Sequence, residues 1–298
     1  MRAVAGLVGL AVAGALLGGC SSSPTDAPAG RSSEARAADL HPLLDGARSF
    51  ALALGADPSE VDVQLALAQH DLVVVDGATD PADIAALQGD GAVVLTYLSV
   101  GTVEPYRPWF EQARDARWLL DRWEDWDEWY ADVREEGLRQ VLLAEARRQL
   151  DLGVDGLFLD NVDAVDRRPE LRDAMAGLVS DLDRLVGDDR VLFSQNGDPI
   201  GLGIVDHLDG WNREDVSFTF DRDADGYVPV GDEERAGAAE QLEAVAAAGP
   251  LVTVTDYLPA VDADLEAEAT SVACAAGAVP FLSDIDLVRL PATPRTCD

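Results

Sequence analysis

Beyond about residue 40 the chain alternates short, continuous apolar runs with stretches whose apolar residues recur every three or four positions. The strand candidates cover residues 49–55, 72–77, 92–101, 157–159, 191–197, 207–214, 251–257 and 279–284, with a further short one at 129–133. Runs of this length with weak period-two alternation read as strands covered on both faces, the pattern of a parallel sheet. The periodic stretches predict helices over about 59–69, 82–87 and 138–150. A further one is predicted where Leu171, Met175, Leu178, Leu182 and Leu185 share a face. Asp80-Pro81 supplies an N-cap and a first-turn proline for the second helix. Helices intervening between nearly all the strands predict a single-domain α/β fold, a (β/α)8 TIM-type barrel. Nine candidate strands compete for eight places, so either the 129–133 run or the last one is peripheral.

The start of the chain is of another kind. Arg2 precedes an apolar run at 7–17 that is too short to span a bilayer. The run ends in Leu17-Gly18-Gly19-Cys20, which resembles a bacterial lipobox. Residues 1–19 are therefore expected to be a lipoprotein signal peptide, with Cys20 as the lipidated residue. Residues 20–39, rich in Ser, Ala and Pro, follow as a flexible tether, and residues 40–298 form the barrel. Export and lipid anchoring at the bacterial envelope are the expectation, with no other membrane contact. Cys274 and Cys297 remain, and outside the cytoplasm they would be able to pair.

Charge narrows the partners. With 56 acidic and 22 basic residues the net charge is −34, which excludes nucleic acid and favours a neutral or cationic ligand. There is no Gly-x-Ser-x-Gly elbow and no phosphate-cradling glycine loop. The only histidines are His41, His70 and His207, the first near the tether and the second just before a strand. A histidine-ligated zinc is not expected, nor any cofactor, and a monomer is the expected state.

The strand ends carry the chemistry. Asp76, Ser99, Glu104, Asp132, Asp160, Asn161, Asp163, Asn196, Glu214, Asp256, Tyr257 and Asp284 all follow predicted strands. In a barrel those ends converge on one face, where active sites lie. A cup lined by carboxylates is costly unless used, because mutual repulsion and burial raise the pKa of at least one. One protonated and one ionised carboxyl on a common face is the arrangement that hydrolyses glycosidic bonds.

Three blocks then resemble a known family. They are Tyr97-Leu98-Ser99-Val100-Gly101 with Glu104, Tyr106, Arg107 and Trp109; Trp129 to Val133; and Gly153-Val154-Asp155-Gly156 through Asp160-Asn161-Val162-Asp163. Together with Asn196-Gly197, Glu214 and Asp256-Tyr257 they are similar to glycoside hydrolase family 114, the endo-α-1,4-polygalactosaminidase-like group, over about 45–286. The resemblance implies a TIM-type barrel acting on a partly deacetylated, hence cationic, galactosamine polymer. It implies Asp160, after the fifth strand, as nucleophile or electrostatic stabiliser, and Glu214, after the seventh, as general acid/base. Tyr97, Asn161 and Asn196 belong to the same motifs, and Asp76, Asp132, Asp163, Asp256 and Tyr257 would orient sugar hydroxyls or amines. Thr102-Val103 departs from the common pattern, which weakens the inference for Glu104.

Five of the six tryptophans lie between Trp109 and Trp129 and read as a packed cluster, leaving Trp211, beside Glu214, as the sugar-stacking candidate. Asp221, Asp223, Asp225 and Asp232 fit most of a calcium-loop spacing, but position twelve is Asp instead of the bidentate Glu, so no metal is expected. A barrel that binds carbohydrate without cleaving it is the alternative reading.

Overall fold

The computed structural model describes residues 40–259 and 262–297. The expected signal peptide, lipidated Cys20 and tether lie outside the described residues. Eight parallel strands form one sheet: β1 (Phe50–Ala53), β2 (Leu72–Asp76), β3 (Val93–Ser99), β4 (Gly156–Asp160), β5 (Val191–Gln195), β6 (Gly210–Glu214), β7 (Leu251–Tyr257) and β8 (Val279–Ser283). The edge strands β1 and β8 come together where Phe50 meets Phe281 edge-on at 5.8 Å, so the sheet is a nearly closed (β/α)8 barrel.

The helix Pro81–Gly89 starts as its sequence requires: Asp80 Oδ1 accepts the Ala82 N–H at 2.8 Å and Pro81 occupies the first turn. Leu171, Met175, Leu178 and Leu182, from the end of a short 3₁₀ turn and the helix Arg172–Val186, are fully buried against the sheet. Two helices, Asp232–Ala248 and Ala263–Ala275, escaped the periodicity reading. Alanine fills so many of their positions that the apolar and polar faces scarcely differ, although Leu242 and Val245 are buried.

The 129–133 run is the peripheral candidate. Glu128–Ala131 pairs antiparallel with Leu119–Trp123 and Thr102–Val103 in a small sheet beside the barrel mouth. Asp160 therefore ends the fourth barrel strand and Glu214 the sixth, not the fifth and seventh. A second excursion is the hairpin Phe218–Asp221 with Gly226–Pro229. Its turn carries the residues of the calcium-loop spacing. Asp221 Oδ1 accepts the N–H groups of Asp223 and Ala224, and Asp232 opens the next helix. Among the described residues no group of three or more His, Cys, Asp or Glu is placed to hold a metal ion. Cys274 and Cys297 are joined by a disulfide that ties the C-terminal segment to the helix Ala263–Ala275. No helix of the described residues is long and apolar enough to cross a membrane.

The barrel interior is stratified. Its floor is aromatic: Phe158 lies between Phe50 at 6.4 Å and Phe193 at 6.3 Å. Gly210 makes room for this layer, since a Cβ there would come 2.0 Å from the Phe193 ring. Side chains two residues apart on a strand share a face. Asp160 therefore stands above Phe158, Gln195 above Phe193, and Asn212 then Glu214 above Gly210. Aromatic floor, amide layer and carboxylate layer follow one another toward the carboxyl ends.

Candidate active site

Asp160 and Glu214 come from alternate strands and stand at one height. Asp160 is level with Gln195 by the β4–β5 register, and Gln195 pairs with Asn212, so Glu214 lies two residues further along its strand. An eight-stranded barrel staggers by about one residue per strand, which offsets that difference across the two-strand step. One intervening strand puts the two backbones about 10 Å apart. Both side chains lean into the same cavity of ≈ 710 Å³ at the barrel mouth.

Each carboxylate sits where a strand ends in an unusual backbone turn. Asn161, Asn196 and Asp215, the residues that follow β4, β5 and β6, have φ of 59°, 55° and 56°. For non-glycine residues such left-handed turns cost about 1–3 kcal/mol each and gather at functional sites. At Asn161 and Asn196 the side chains hold the turn. Asn161 Nδ2 donates to Ser99 Oγ at 3.1 Å and Thr102 Oγ1 at 2.9 Å. The Asn161 carbonyl also approaches Gly101 so closely that a Cβ there would lie 1.8 Å away, which explains the glycine in that motif.

The two carboxylates are dressed differently. Asp160 accepts from the Tyr97 hydroxyl at 2.7 Å, from the Asn161 N–H at 2.7 Å and from Gln195 Nε2 at 3.1 Å. Glu214 accepts from Asn196 Nδ2 at 2.6 Å and from the Tyr257 hydroxyl. Burial pushes both carboxyls up, and for Asp160 the Tyr97, Asn161 and Gln195 donors oppose it. Glu214 is pushed up to about 8 by burial and then by the neighbouring charge of Asp160. With the richer donor set on Asp160, the charge stays there and the proton stays on Glu214. Burial raises the Tyr97 and Tyr257 hydroxyls far above their ordinary value, so both remain donors.

Around the pair, Asp163 and Glu128 also line the cavity, each raised to about 7, chiefly by burial. Of the residues expected to contact substrate, Tyr97, Asn161, Asp163, Asn196 and Tyr257 join the pair in this cavity. The others are placed elsewhere. Asp76 accepts the Ala78 N–H and lies 4.0 Å from Arg107. Glu104 is buried in a 2.6 Å ion pair with Arg107, whose guanidinium covers the Tyr97 ring. Asp132 is held bidentate by Arg134 at 2.7 and 2.8 Å. Asp256 is fully buried, and its Oδ1 accepts the N–H groups of Val216, Ser217 and Phe218, which shapes the loop after Glu214. Trp211 is fully buried with its indole N–H on the Asn196 carbonyl, so it offers no face to a sugar.

The tryptophan expectation is therefore corrected in both directions, because Trp123 and Trp126 of the supposed packing cluster line the cavity. Trp123 stacks on Tyr130 at 5.8 Å, and Trp126 at the hairpin tip meets Arg222. Also unanticipated in the cavity wall are Gln195, Arg213, Asp215 and Glu234. Gln195 carried a readable signal, as the polar residue two positions after Phe193 on the inward face of its strand.

Comparison with known proteins agrees with this architecture. The sequence profile of glycoside-hydrolase family GH114 matches residues 31–187. An uncharacterized protein of Deinococcus radiodurans is 30% identical over 122 residues, 37% of this chain and 39% of that protein, so the match spans well under half of that relative. The glycoside hydrolase domain of PelA from Pseudomonas aeruginosa is similar in structure, with a TM-score of 0.70 and 28% identity. That match covers 82% of this chain and 98% of the other. Aspergillus fumigatus Ega3, in a complex with galactosamine, shares the fold at 18% identity and a TM-score of 0.66, over 87% of this chain and 98% of its own.

Proposed function

This chain belongs to glycoside-hydrolase family GH114, and on that footing we propose that it cleaves internal O-glycosidic bonds of an amino-sugar polysaccharide with Asp160 and Glu214 as the working pair. The observation that supports this most is the unequal dressing of two carboxyls at one height in one cavity. Asp160, charged and held by three donors, faces the anomeric carbon as nucleophile or stabiliser of the oxocarbenium-like state. Glu214 passes its proton to the departing glycosidic oxygen and then takes one back from the attacking water. Asn196 and Tyr257 hold the Glu214 carboxyl in place through both steps.

The cationic part of the substrate follows from the walls. Asp163, Glu128, Asp215 and Glu234 surround the pair, and a protonated amine on the sugar would favour the ionised form of Asp163 or Glu128 and pair with it. Trp123 and Trp126 offer aromatic faces at the mouth for sugar rings. Export with a lipid on Cys20 would keep the enzyme at the cell surface, where such polymers are met.

The test is a panel of galactosamine and glucosamine polymers, acetylated and deacetylated, assayed for new reducing ends. Release of short oligosaccharides from a deacetylated galactosamine polymer is the expected result. No release from any hexosamine polymer would overturn the proposal and leave a carbohydrate-binding barrel.

A further inference from the structure

We infer that Asn212 is a positioning residue for this reaction: from below the carboxylate pair it fixes which end of the Gln195 amide faces Asp160. The inference rests on the assignment of Asp160 and Glu214 as the working carboxyls.

The layer under the pair is where an eight-stranded barrel ordinarily packs branched apolar side chains. Here it holds Gln195, Asn212, Thr253 and Thr255, all buried, and Asn212 is at 0% exposure. Their hydrogen bonds run in one direction. Thr253 Oγ1 donates to Asn212 Oδ1 at 2.8 Å and Thr255 Oγ1 to the same oxygen at 3.2 Å. With its oxygen occupied, Asn212 presents only Nδ2 upward, which donates to Gln195 Oε1 at 2.9 Å. The Gln195 oxygen is then occupied in turn, and only its Nε2 is left for Asp160 Oδ1, at 3.1 Å.

Direction is the point of the chain. A carboxamide has a donor end and an acceptor end of nearly the same shape, and a carboxylate accepts only. Turned over, Gln195 would set a carbonyl lone pair against the Asp160 charge. Two threonine hydroxyls on the next strand remove that option by way of Asn212. Asn212's own strand, β6, carries Glu214 two residues on, so one element supports the donor set of one carboxyl and carries the other. The remaining groups that face Asp160 are untouched by this relay. They are Tyr97, the Glu104–Arg107 ion pair, Glu128, Asp163 on its own loop, and Glu214 with Tyr257 across the cavity.

Asn212→Leu in the full-length enzyme, with a deacetylated galactosamine polymer as substrate, tests this. Loss of the relay weakens the donor on ionised Asp160, so the acid limb of the kcat/KM–pH profile moves toward neutral by about half to one pH unit, a fall of about three- to tenfold at pH values below the limb. Gln195→Leu moves the limb the same way, and the double variant moves it no further than Gln195→Leu alone. An unmoved limb, or shifts that add, would overturn the relay and leave Asn212 as mere filling. If Asn212→Leu does not fold, the Thr253→Val/Thr255→Val double variant keeps Asn212 and removes what orients it; a smaller shift in the same direction supports the relay and none overturns it. Asp160→Asn run in parallel separates the levels. If Asp160→Asn is inactive while the limb in Asn212→Leu stays put, only the relay fails; if Asp160→Asn retains full activity, the carboxylate assignment fails with it.

Discussion

Asn196 holds Glu214 at both ends: its Oδ1 accepts the Glu214 backbone N–H at 3.0 Å while its Nδ2 donates to Glu214 Oε2 at 2.6 Å. The residue that turns the chain after β5 thereby sets both the backbone and the carboxyl of the residue ending β6. Its left-handed φ of 55° is held by the same two bonds.

Replacing Asn196 by glycine keeps that backbone and deletes only the clamp. A hydrogen bond to a charged group is worth about 1.5–3 kcal/mol, so kcat/KM should fall by about 10- to 150-fold. Asn196 stabilises the ionised form of Glu214, and its loss should also move the basic limb of the pH–rate profile upward. Steady-state kinetics between pH 4 and 10 measure both effects.

The tryptophans separate cleanly by experiment. Trp211 is fully buried, so Trp211→Ala should cost about 3–5 kcal/mol of stability in urea unfolding. Trp126 is 45% exposed at the cavity mouth, so Trp126→Ala should leave stability within about 0.5 kcal/mol and raise KM with little change in kcat.

Stability should decline on the alkaline side of neutrality. Glu214, Glu128, Asp163 and Asp256 are raised to about 8, 7, 7 and 6 by burial. A folded-state pKa above the unfolded value means the folded protein binds the proton more tightly. Stability from these groups is full below about pH 4, the unfolded carboxyl range, and is lost as pH rises to about 8. Tm measured at pH 5 should exceed Tm at pH 8.5, and a substrate-sized cation that pairs with the cavity carboxylates should narrow the difference.

Glu104 and Arg107 form the ion pair that closes the β2–β3 side of the mouth, with both side chains under 10% exposed. Removing one partner leaves a buried charge uncompensated, which costs about 3–5 kcal/mol. Glu104→Ala should therefore appear as a large loss in chemical denaturation, with residual folded enzyme still cleaving.

The barrel was legible because its strands are buried on both faces and several read as unbroken apolar runs, such as those of Leu72–Asp76 and Gly156–Asp160. The 129–133 run looked alike, yet it pairs antiparallel outside the barrel, and only tertiary contacts tell the two apart. That Asp160 and Glu214 would line one cavity was legible for the same reason that Asp132 and Asp256 misled: each is an acid near the end of a strand. Whether such an acid faces a cavity or takes up backbone N–H groups and an arginine depends on loop geometry that sequence spacing does not carry. Gln195 and Asn212 were hidden differently, since an amide inside a strand has meaning only once its inward face and its neighbours on the adjoining strands are known.

The most direct test of the account compares Asp160→Asn and Glu214→Gln with the unaltered enzyme on the polymer it cleaves, measuring reducing-end release alongside polymer binding. Loss of the charged partner or of the acid should each lower kcat by at least about 10²–10⁴-fold while binding changes little. Either variant cleaving within a few-fold of the unaltered enzyme would contradict the assignment.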